Sequence, residues 1–172
     1  LDTDDDGLVE YDESGYRRPA IAESWEVSAD GLTYTFHLRD DAAWVDSQGR
    51  FVANVTADDF VAGFQHMLDA AGGLEYLVQG VVVNADEYLT GTVTDFSQVG
   101  VRAVDEHTVE YTLVQETPYF LTMLGYGVFA PLNTSYLISK GRAFARDAFA
   151  PAEASDAHNN CATSIDITSR RP

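Results

Sequence analysis

Apolar and polar side chains alternate on both sides of an Asp30-Gly31 pair. Glycine tolerates the positive φ that a tight turn requires, so this pair supplies a turn between two strands. Because successive side chains of a strand point to opposite faces, the alternation places every second residue on the same face. The pattern therefore predicts a β-hairpin whose apolar face covers a core. That face consists of Trp25, Val27, Leu32, Tyr34, Phe36 and Leu38.

The rest of the chain predicts a mixture of helices and strands without internal repeats. Thr56 stands three residues before Asp59 in a capping arrangement, which opens a helix that runs to about Ala71. A second hairpin is predicted at residues 101–113, because apolar residues alternate on both sides of a polar turn. Shorter helices are predicted from apolar periodicity and glycine or proline boundaries at residues 74–83, 85–89, 119–124 and 134–140.

The chain is strongly acidic. It has 172 residues, with 10 Lys plus Arg against 28 Asp plus Glu and a formal net charge of −18. Long-range electrostatics therefore argue against nucleic acid and anionic lipid as partners. No apolar run approaches the roughly 20 residues that span a bilayer. The single cysteine, Cys161, excludes an internal disulfide, and the four histidines lack the paired spacing of a zinc helix, so no metal or other cofactor is predicted.

A calcium loop is the strongest competing local pattern. The N-terminus fits the sequence D-x-D-x-D-G with a glutamate at the twelfth position, and such a loop surrounds Ca²⁺ with oxygen ligands. Gly15 and Pro19 oppose the helix that should follow it. Calcium binding is therefore kept as an alternative. Its ligands would be Asp2, Asp4, Asp6, the Leu8 carbonyl and Glu13.

The sequence does not indicate an enzyme. Acidic pairs are frequent at this composition, and no serine or cysteine lies in a nucleophile-elbow sequence. The Gly72-Gly73 pair lacks the lysine and the spacing of a phosphate-binding loop. We therefore expect a protein that binds rather than catalyses.

Several segments resemble, in the same order along the chain, the extracytoplasmic solute-binding proteins of peptide ABC importers. The resemblance is to the oligopeptide-binding branch of that family. The resemblance covers about residues 7–141, and a longer loop after Trp44 departs from the compact Trp-x-Asp-Gly turn of the family. Residues 6–12 are similar to the first strand of the family, which competes with the calcium loop. The matching segments are residues 22–28, 30–39 with Trp44, 55–61, 95–101, 108–113 and 117–121.

The resemblance implies an α+β, mixed α/β chain that forms a fragment of a type II periplasmic-binding-protein-like fold. Residues 1–44 would be the first strands of lobe I, and residues 45–141 would form most of a small extra domain. Residues 142–172 look like an irregular tail that is truncated or non-native. Because the chain opens on Leu1 rather than Met, we expect that an upstream piece is missing.

The implied function is capture of oligopeptides outside the cytoplasmic membrane and delivery to the permease subunits of an ABC importer. The protein would be a monomer, periplasmic or held to the membrane by a missing lipid anchor. Tyr76 and Tyr126 are the candidate ligand contacts, because their segments are similar to parts that approach the cleft in relatives. Core packing is the alternative for both side chains. The contact to the peptide amine would lie in an absent second lobe, so the isolated chain should bind peptide weakly or not at all.

Overall fold

The structure is a computed structural model that describes residues 7–11, 17–45, 48–70, 73–126, 129–134 and 164–166. The strands are β1 (Val9–Tyr11), β2 (Arg17–Pro19), β3 (Ala22–Val27), β4 (Thr33–Leu38), β5 (Ala43–Val45), β6 (Phe51–Asn54), β7 (Val101–Asp105), β8 (Thr108–Thr112) and β9 (Ser164–Asp166). The α-helices are α1 (Ala57–Ala70), α2 (Ala85–Leu89) and α3 (Phe120–Met123), with short 3₁₀ helices at Glu75–Leu77 and Phe96–Gln98.

A four-stranded antiparallel sheet in the order β3-β4-β8-β7 forms the centre of the fold. The first predicted hairpin is confirmed, since β3 and β4 pair and Tyr34, Phe36 and Leu38 are buried. The prediction for Val27 was wrong, because its side chain is 45% exposed. Val27 ends β3, an edge strand of this sheet, where less of the core is available to cover it.

The predicted turn of this hairpin is also confirmed. Gly31 has a φ of +70°, and the amide of Leu32 donates to the Asp30 carboxylate at 3.1 Å. The Ser28 hydroxyl donates to the same carboxylate. These two hydrogen bonds, that from Ser28 first, stabilise the ionised form and lower the pKa of Asp30.

Helix α1 begins as predicted and covers one face of the sheet at β7 and β8. The Thr56 amide donates to the Asp59 carboxylate at 3.1 Å, which is the backbone half of a capping box. Phe60, Phe64 and Leu68 recur at helical spacing and are buried. Their burial confirms the predicted core stripe of this helix.

The second hairpin is confirmed as β7 and β8. Val109, Tyr111 and Leu113 are buried on the same side, as predicted. The Asp105 carboxylate accepts a hydrogen bond from the His107 amide at 2.9 Å, and this bond lowers the pKa of Asp105. The turn of this hairpin is joined to α1, because the Ala57 amide donates to the Glu106 carbonyl at 2.9 Å.

Part of the predicted tail belongs to a sheet. β9 pairs antiparallel with β5, and together with β6 they form a three-stranded sheet in the order β6-β5-β9. The prediction of an irregular tail was therefore wrong for residues 164–166. Three residues are too few for a strand to produce a periodic pattern in the sequence. The remainder of residues 142–172 lies outside the described residues.

The predicted boundary between residues 44 and 45 lies within β5. The hairpin of β3 and β4 comes before this boundary and that of β7 and β8 after it, yet they share one sheet and one hydrophobic core. In this chain the two parts therefore pack as one unit. Their assignment to lobe I and to a small extra domain of a longer protein stays a prediction.

The shorter predicted helices have mixed outcomes. Helix α2 at Ala85–Leu89 and helix α3 within residues 119–124 are confirmed. The prediction of a helix at 74–83 was wrong, since only Glu75–Leu77 forms a 3₁₀ turn and Gly80 follows with a φ of +67°. A residue with positive φ ends a helix rather than continuing it. The predicted helix at 134–140 lies outside the described residues except for Thr134.

Aromatic rings fill the centre of the core between the sheet, α1 and α3. Neighbouring ring centroids are 4.8–6.5 Å apart, mostly tilted or edge to face. Among the described residues, none is a hydrogen-bond partner of the buried Tyr111 hydroxyl, and burial raises the pKa of this phenol. The cluster consists of Tyr34, Phe36, Phe64, Tyr111, Phe120 and Phe129.

We expect Tyr111→Phe to raise the free energy of unfolding by about 1 kcal/mol, because it removes a buried hydroxyl to which no described residue is hydrogen-bonded. Urea denaturation of both proteins measures the difference. Tyr88→Phe is the matched control. The Tyr88 hydroxyl donates to Asp69 at 2.8 Å, so its removal should lower stability by about 1 kcal/mol. A loss of stability in the Tyr111 variant would mean that its hydroxyl is bonded.

Candidate functional site

The two candidate ligand tyrosines are both on the surface. Tyr76 lies in the 3₁₀ helix at Glu75–Leu77 and its side chain is 63% exposed. Tyr126 follows α3 and is 54% exposed. The alternative that both rings pack in the core is therefore wrong. Their role in binding stays a prediction, which exposure makes possible.

Backbone contacts hold the segment that carries Tyr76 against the central sheet. The amides of Leu77 and Val78 close the 3₁₀ turn, and Val78 is buried. Further along, Val82 forms a β-bridge with Leu113, directly after β8. The Tyr76 ring is thus exposed, while the backbone that follows it is fixed by the buried Val78 and by the bridge at Val82.

Backbone hydrogen bonds also hold Tyr126, which follows α3. Its amide donates to the Met123 carbonyl at 2.9 Å, and its own carbonyl accepts from the Phe129 amide at 3.0 Å. Phe129 belongs to the aromatic cluster and is buried. The nearby Tyr119 is also exposed, at 58%, and sequence reasoning did not single it out.

Asp59 is a buried polar residue with several hydrogen-bond partners, whereas its sequence pattern indicated only a helix cap. It is 5% exposed, and its Oδ2 accepts hydrogen bonds from Trp44 Nε1 at 2.9 Å and from the Thr56 amide at 3.1 Å. Its Oδ1 accepts from the amide and the hydroxyl of Thr134 at 2.9 and 2.7 Å. Its carbonyl accepts from the Leu132 amide at 2.9 Å. Asp59 thus joins β5, α1 and residues 132–134 through its carboxylate and its carbonyl.

Of the residues in the alternative calcium loop that would be ligands, the structure describes Leu8. The Leu8 carbonyl accepts hydrogen bonds from the amides of Ala20 and Ala22 at 3.3 and 3.1 Å, which occupies both of its lone pairs. Calcium would therefore have to compete with two amide donors for this oxygen. Asp2, Asp4, Asp6 and Glu13 lie outside the described residues.

Among the described residues, no three His, Cys, Asp or Glu side chains come together as a metal site. Of the histidines, His37, His66 and His107 are described, and His158 is not. In the same part of the chain, no helix combines the length and the apolar character that a membrane span requires.

The comparisons with known proteins agree with one another. The family model of bacterial extracellular solute-binding proteins, family 5 (middle), matches residues 17–162. The oligopeptide-binding protein AmiA of Streptococcus pneumoniae is 48% identical over 141 residues. This match covers 82% of the chain and 21% of AmiA, so the chain spans about a fifth of the length of that relative.

Solved structures show the same relationship in three dimensions. The substrate-binding domain of an oligopeptide ABC transporter from Bacillus anthracis has a TM-score of 0.71 at 36% identity, over 80% of this chain and 26% of that one. Listeria monocytogenes OppA bound to peptide has a TM-score of 0.71 at 31% identity, over 83% of this chain and 27% of that one. These similarities confirm the prediction of a mixed α/β chain that corresponds to part of a larger periplasmic-binding-protein fold. On the match over residues 17–162 and the identity to AmiA, the chain belongs to family 5 of the bacterial extracellular solute-binding proteins.

Proposed function

We propose that this chain is part of the substrate-binding component of an ABC importer that captures oligopeptides outside the cytoplasmic membrane. It would deliver them to the permease subunits of the importer and would work as a monomer, either in the periplasm or as a lipoprotein on the outer face of the membrane. The observation that carries this proposal is the 48% identity to an oligopeptide-binding protein over most of the chain. The similarity to a peptide-bound OppA structure supports it further.

The proposed role requires no chemical step. The relatives named above are binding proteins. In the part of the chain that the structure describes, the carboxylates of Asp30, Asp59 and Asp105 accept hydrogen bonds from nearby donors in turns and at a helix start, which is a role in folding. We therefore propose that the protein is not an enzyme and uses no cofactor.

Within this function we assign peptide contacts to Tyr76 and Tyr126. An exposed tyrosine on an anchored backbone offers a large contact area and loses little conformational entropy when a ligand covers it. Peptides bound mainly through their backbone also need hydrogen-bond partners, and the phenolic hydroxyl can donate as well as accept. Both rings satisfy these requirements.

Thermal unfolding of the full-length protein that contains this chain, with and without a panel of short peptides, tests the function. A ligand that binds only the native state stabilises it by about 2.7 kcal/mol at one hundred times Kd. We expect a raised Tm with peptides and none with calcium. Indifference to every peptide, with a clear response to calcium, a sugar or nickel, would reject the proposal.

The same assay tests the two tyrosines through alanine variants. We expect Tyr76→Ala and Tyr126→Ala each to weaken peptide binding about tenfold, or about 1.4 kcal/mol. Tyr119→Ala is the matched control, because this ring is equally exposed but is not assigned to the ligand. Equal losses in all three variants would show that surface tyrosines act non-specifically and would remove the assignment.

A further inference from the structure

The last strand, β9, is an edge strand of the three-stranded sheet. It pairs antiparallel with β5, with Ser164 opposite Val45 and Asp166 opposite Ala43. In the order β6-β5-β9, the described part of the chain gives it no strand neighbour other than β5. The pairing extends over three residues. A ladder of this length offers few hydrogen bonds, because only alternate residue pairs of an antiparallel ladder exchange them.

Three contacts hold β5 in place without β9. On its other side, β5 pairs with β6. The Trp44 indole is 5% exposed and donates to the Asp59 carboxylate at 2.9 Å. Directly before the strand, the Ala42 carbonyl accepts a hydrogen bond from the Val55 amide at 3.0 Å. Because none of these contacts involves β9, β5 can keep its position when β9 leaves it.

A long stretch of sequence separates β9 from the described residue that precedes it. That residue, Thr134, is held on α1 by the Asp59 carboxylate, and β9 begins 30 residues later at Ser164. Pairing of β9 with β5 closes this stretch into a loop, and the entropy lost on closure grows with loop length. The three-residue ladder must offset this loss. Its net stability is therefore much smaller than that of the central sheet.

The family comparison also separates β9 from the rest of the fold. The match to the family model covers residues 17–162, which include both β5 and β6. β9 begins two residues beyond the end of this match. The edge of β5 thus belongs to the part of the chain that matches the family, whereas the strand that covers this edge does not.

We propose that β9 is a releasable strand, which docks on the edge of β5 and leaves it while the central sheet and α1 stay folded. This behaviour goes beyond the proposed capture of peptides and does not depend on it. Release exposes a row of backbone amides and carbonyls on β5, with which an extended polypeptide segment can pair. The releasable strand therefore controls access to the edge of β5 beside the buried Trp44.

Hydrogen exchange of the backbone amides in the unaltered chain, followed by NMR, tests the proposal. Successive amides of an antiparallel strand point to opposite sides, so only some amides of β5 and β9 lie in the ladder between them. We expect these ladder amides to be protected, but to exchange about a hundredfold faster than the amides of β4 and β8 in the central sheet. Exchange as slow as that of β4 and β8, or no protection at all, would overturn the proposal.

Low concentrations of urea distinguish local release from global unfolding. An opening that exposes little surface depends weakly on urea, whereas global unfolding depends steeply on it. We expect exchange of the ladder amides between β5 and β9 to stay constant below about 1 M urea, while exchange in β4 and β8 accelerates. The amides that join β5 to β6 are the internal control and should exchange more slowly than the ladder amides. Equal exchange of both sets would show that the whole small sheet opens together, which would contradict release of β9 alone.

Two proline variants in β9 form a matched pair. Because successive amides alternate in direction, one of Ile165→Pro and Asp166→Pro removes a donor that faces β5, and the other removes a donor that faces away. We expect one variant to accelerate exchange of the β5 ladder amides about tenfold and the other to change it less than about twofold. Neither should alter exchange in β4 or β8. No effect of either variant, or acceleration in the central sheet as well, would contradict the proposal.

The unaltered chain decides the question even if a proline variant fails to fold, since its exchange rates and their urea dependence are measured without substitution. None of these measurements involves a peptide ligand. A negative result would therefore overturn the releasable strand and leave the proposed peptide function intact.

Discussion

Replacing Asp59 with alanine is expected to lower the free energy of unfolding by about 3–5 kcal/mol. The change removes the only carboxylate that accepts from Trp44 Nε1, the Thr56 amide and Thr134 in the described part of the chain. A buried donor that loses its acceptor costs about 1–3 kcal/mol. Urea denaturation followed by tryptophan fluorescence measures the loss, and Trp44 itself reports on the site.

Asp58→Ala provides the control for the Asp59 variant. Asp58 is exposed in the same turn of α1 and has the same charge, so its replacement should change stability by less than about 1 kcal/mol. Asp59→Asn should fall between the two, because the amide keeps one acceptor oxygen but presents a donor in place of the other. Similar losses from Asp58→Ala and Asp59→Ala would show that charge at the helix start, and not the buried hydrogen bonds, determines stability.

The second large effect is expected at Gly63, in the middle of α1. In an ordinary helix interior, Gly→Ala raises stability by about 1 kcal/mol. Here a Cβ would lie 2.4 Å from the Ala130 carbonyl oxygen and 3.3 Å from the Leu132 amide nitrogen. The backbone of residues 130–132 must move to admit it. We therefore expect Gly63→Ala to lower the free energy of unfolding by about 1–3 kcal/mol, as measured by thermal or urea denaturation.

The neighbouring residue supplies the comparison for Gly63. Ala62→Gly reverses the substitution in the same helix, and we expect it to cost about 1 kcal/mol through helix propensity alone. If Gly63→Ala stabilised the protein, that result would contradict the close contact between Gly63 and the backbone of residues 130–132. The Asp59→Ala and Gly63→Ala effects should also be non-additive, because both residues hold the same segment on α1.

Local patterns predicted the elements that depend on local physics. The Asp30-Gly31 turn, the cap at Thr56 and the alternation in β4 and β8 each follow from residues close together in the sequence, and all three are confirmed. The apolar run at residues 81–83 was predicted to be helical. The same pattern is equally typical of a buried helix and of a buried β-bridge, so the sequence could not distinguish the two. A contact with Leu113, 31 residues from Val82, decided between the two.

The candidate site depends more on distant contacts than the hairpins do. The cap pattern identified Asp59, but its partners Trp44 and Thr134 are 15 and 75 residues away, and no periodicity reports such a distance. The exposure of Tyr76 and Tyr126 was equally unpredictable, because tyrosine occurs both in cores and on surfaces. The family resemblance selected these two residues, whereas composition and spacing could not.

The central pairing of β4 with β8 has a consequence for biosynthesis. His37 pairs with Thr108, so the ribosome must make about seventy residues beyond the first hairpin before that hairpin gains its neighbour. A two-stranded hairpin alone is marginally stable in water. During that interval Tyr34 and Phe36 lack their partner rings, Phe120 and Tyr111. The two side chains are therefore exposed and accessible to chaperones. A pairing between residues so far apart in the sequence also slows folding.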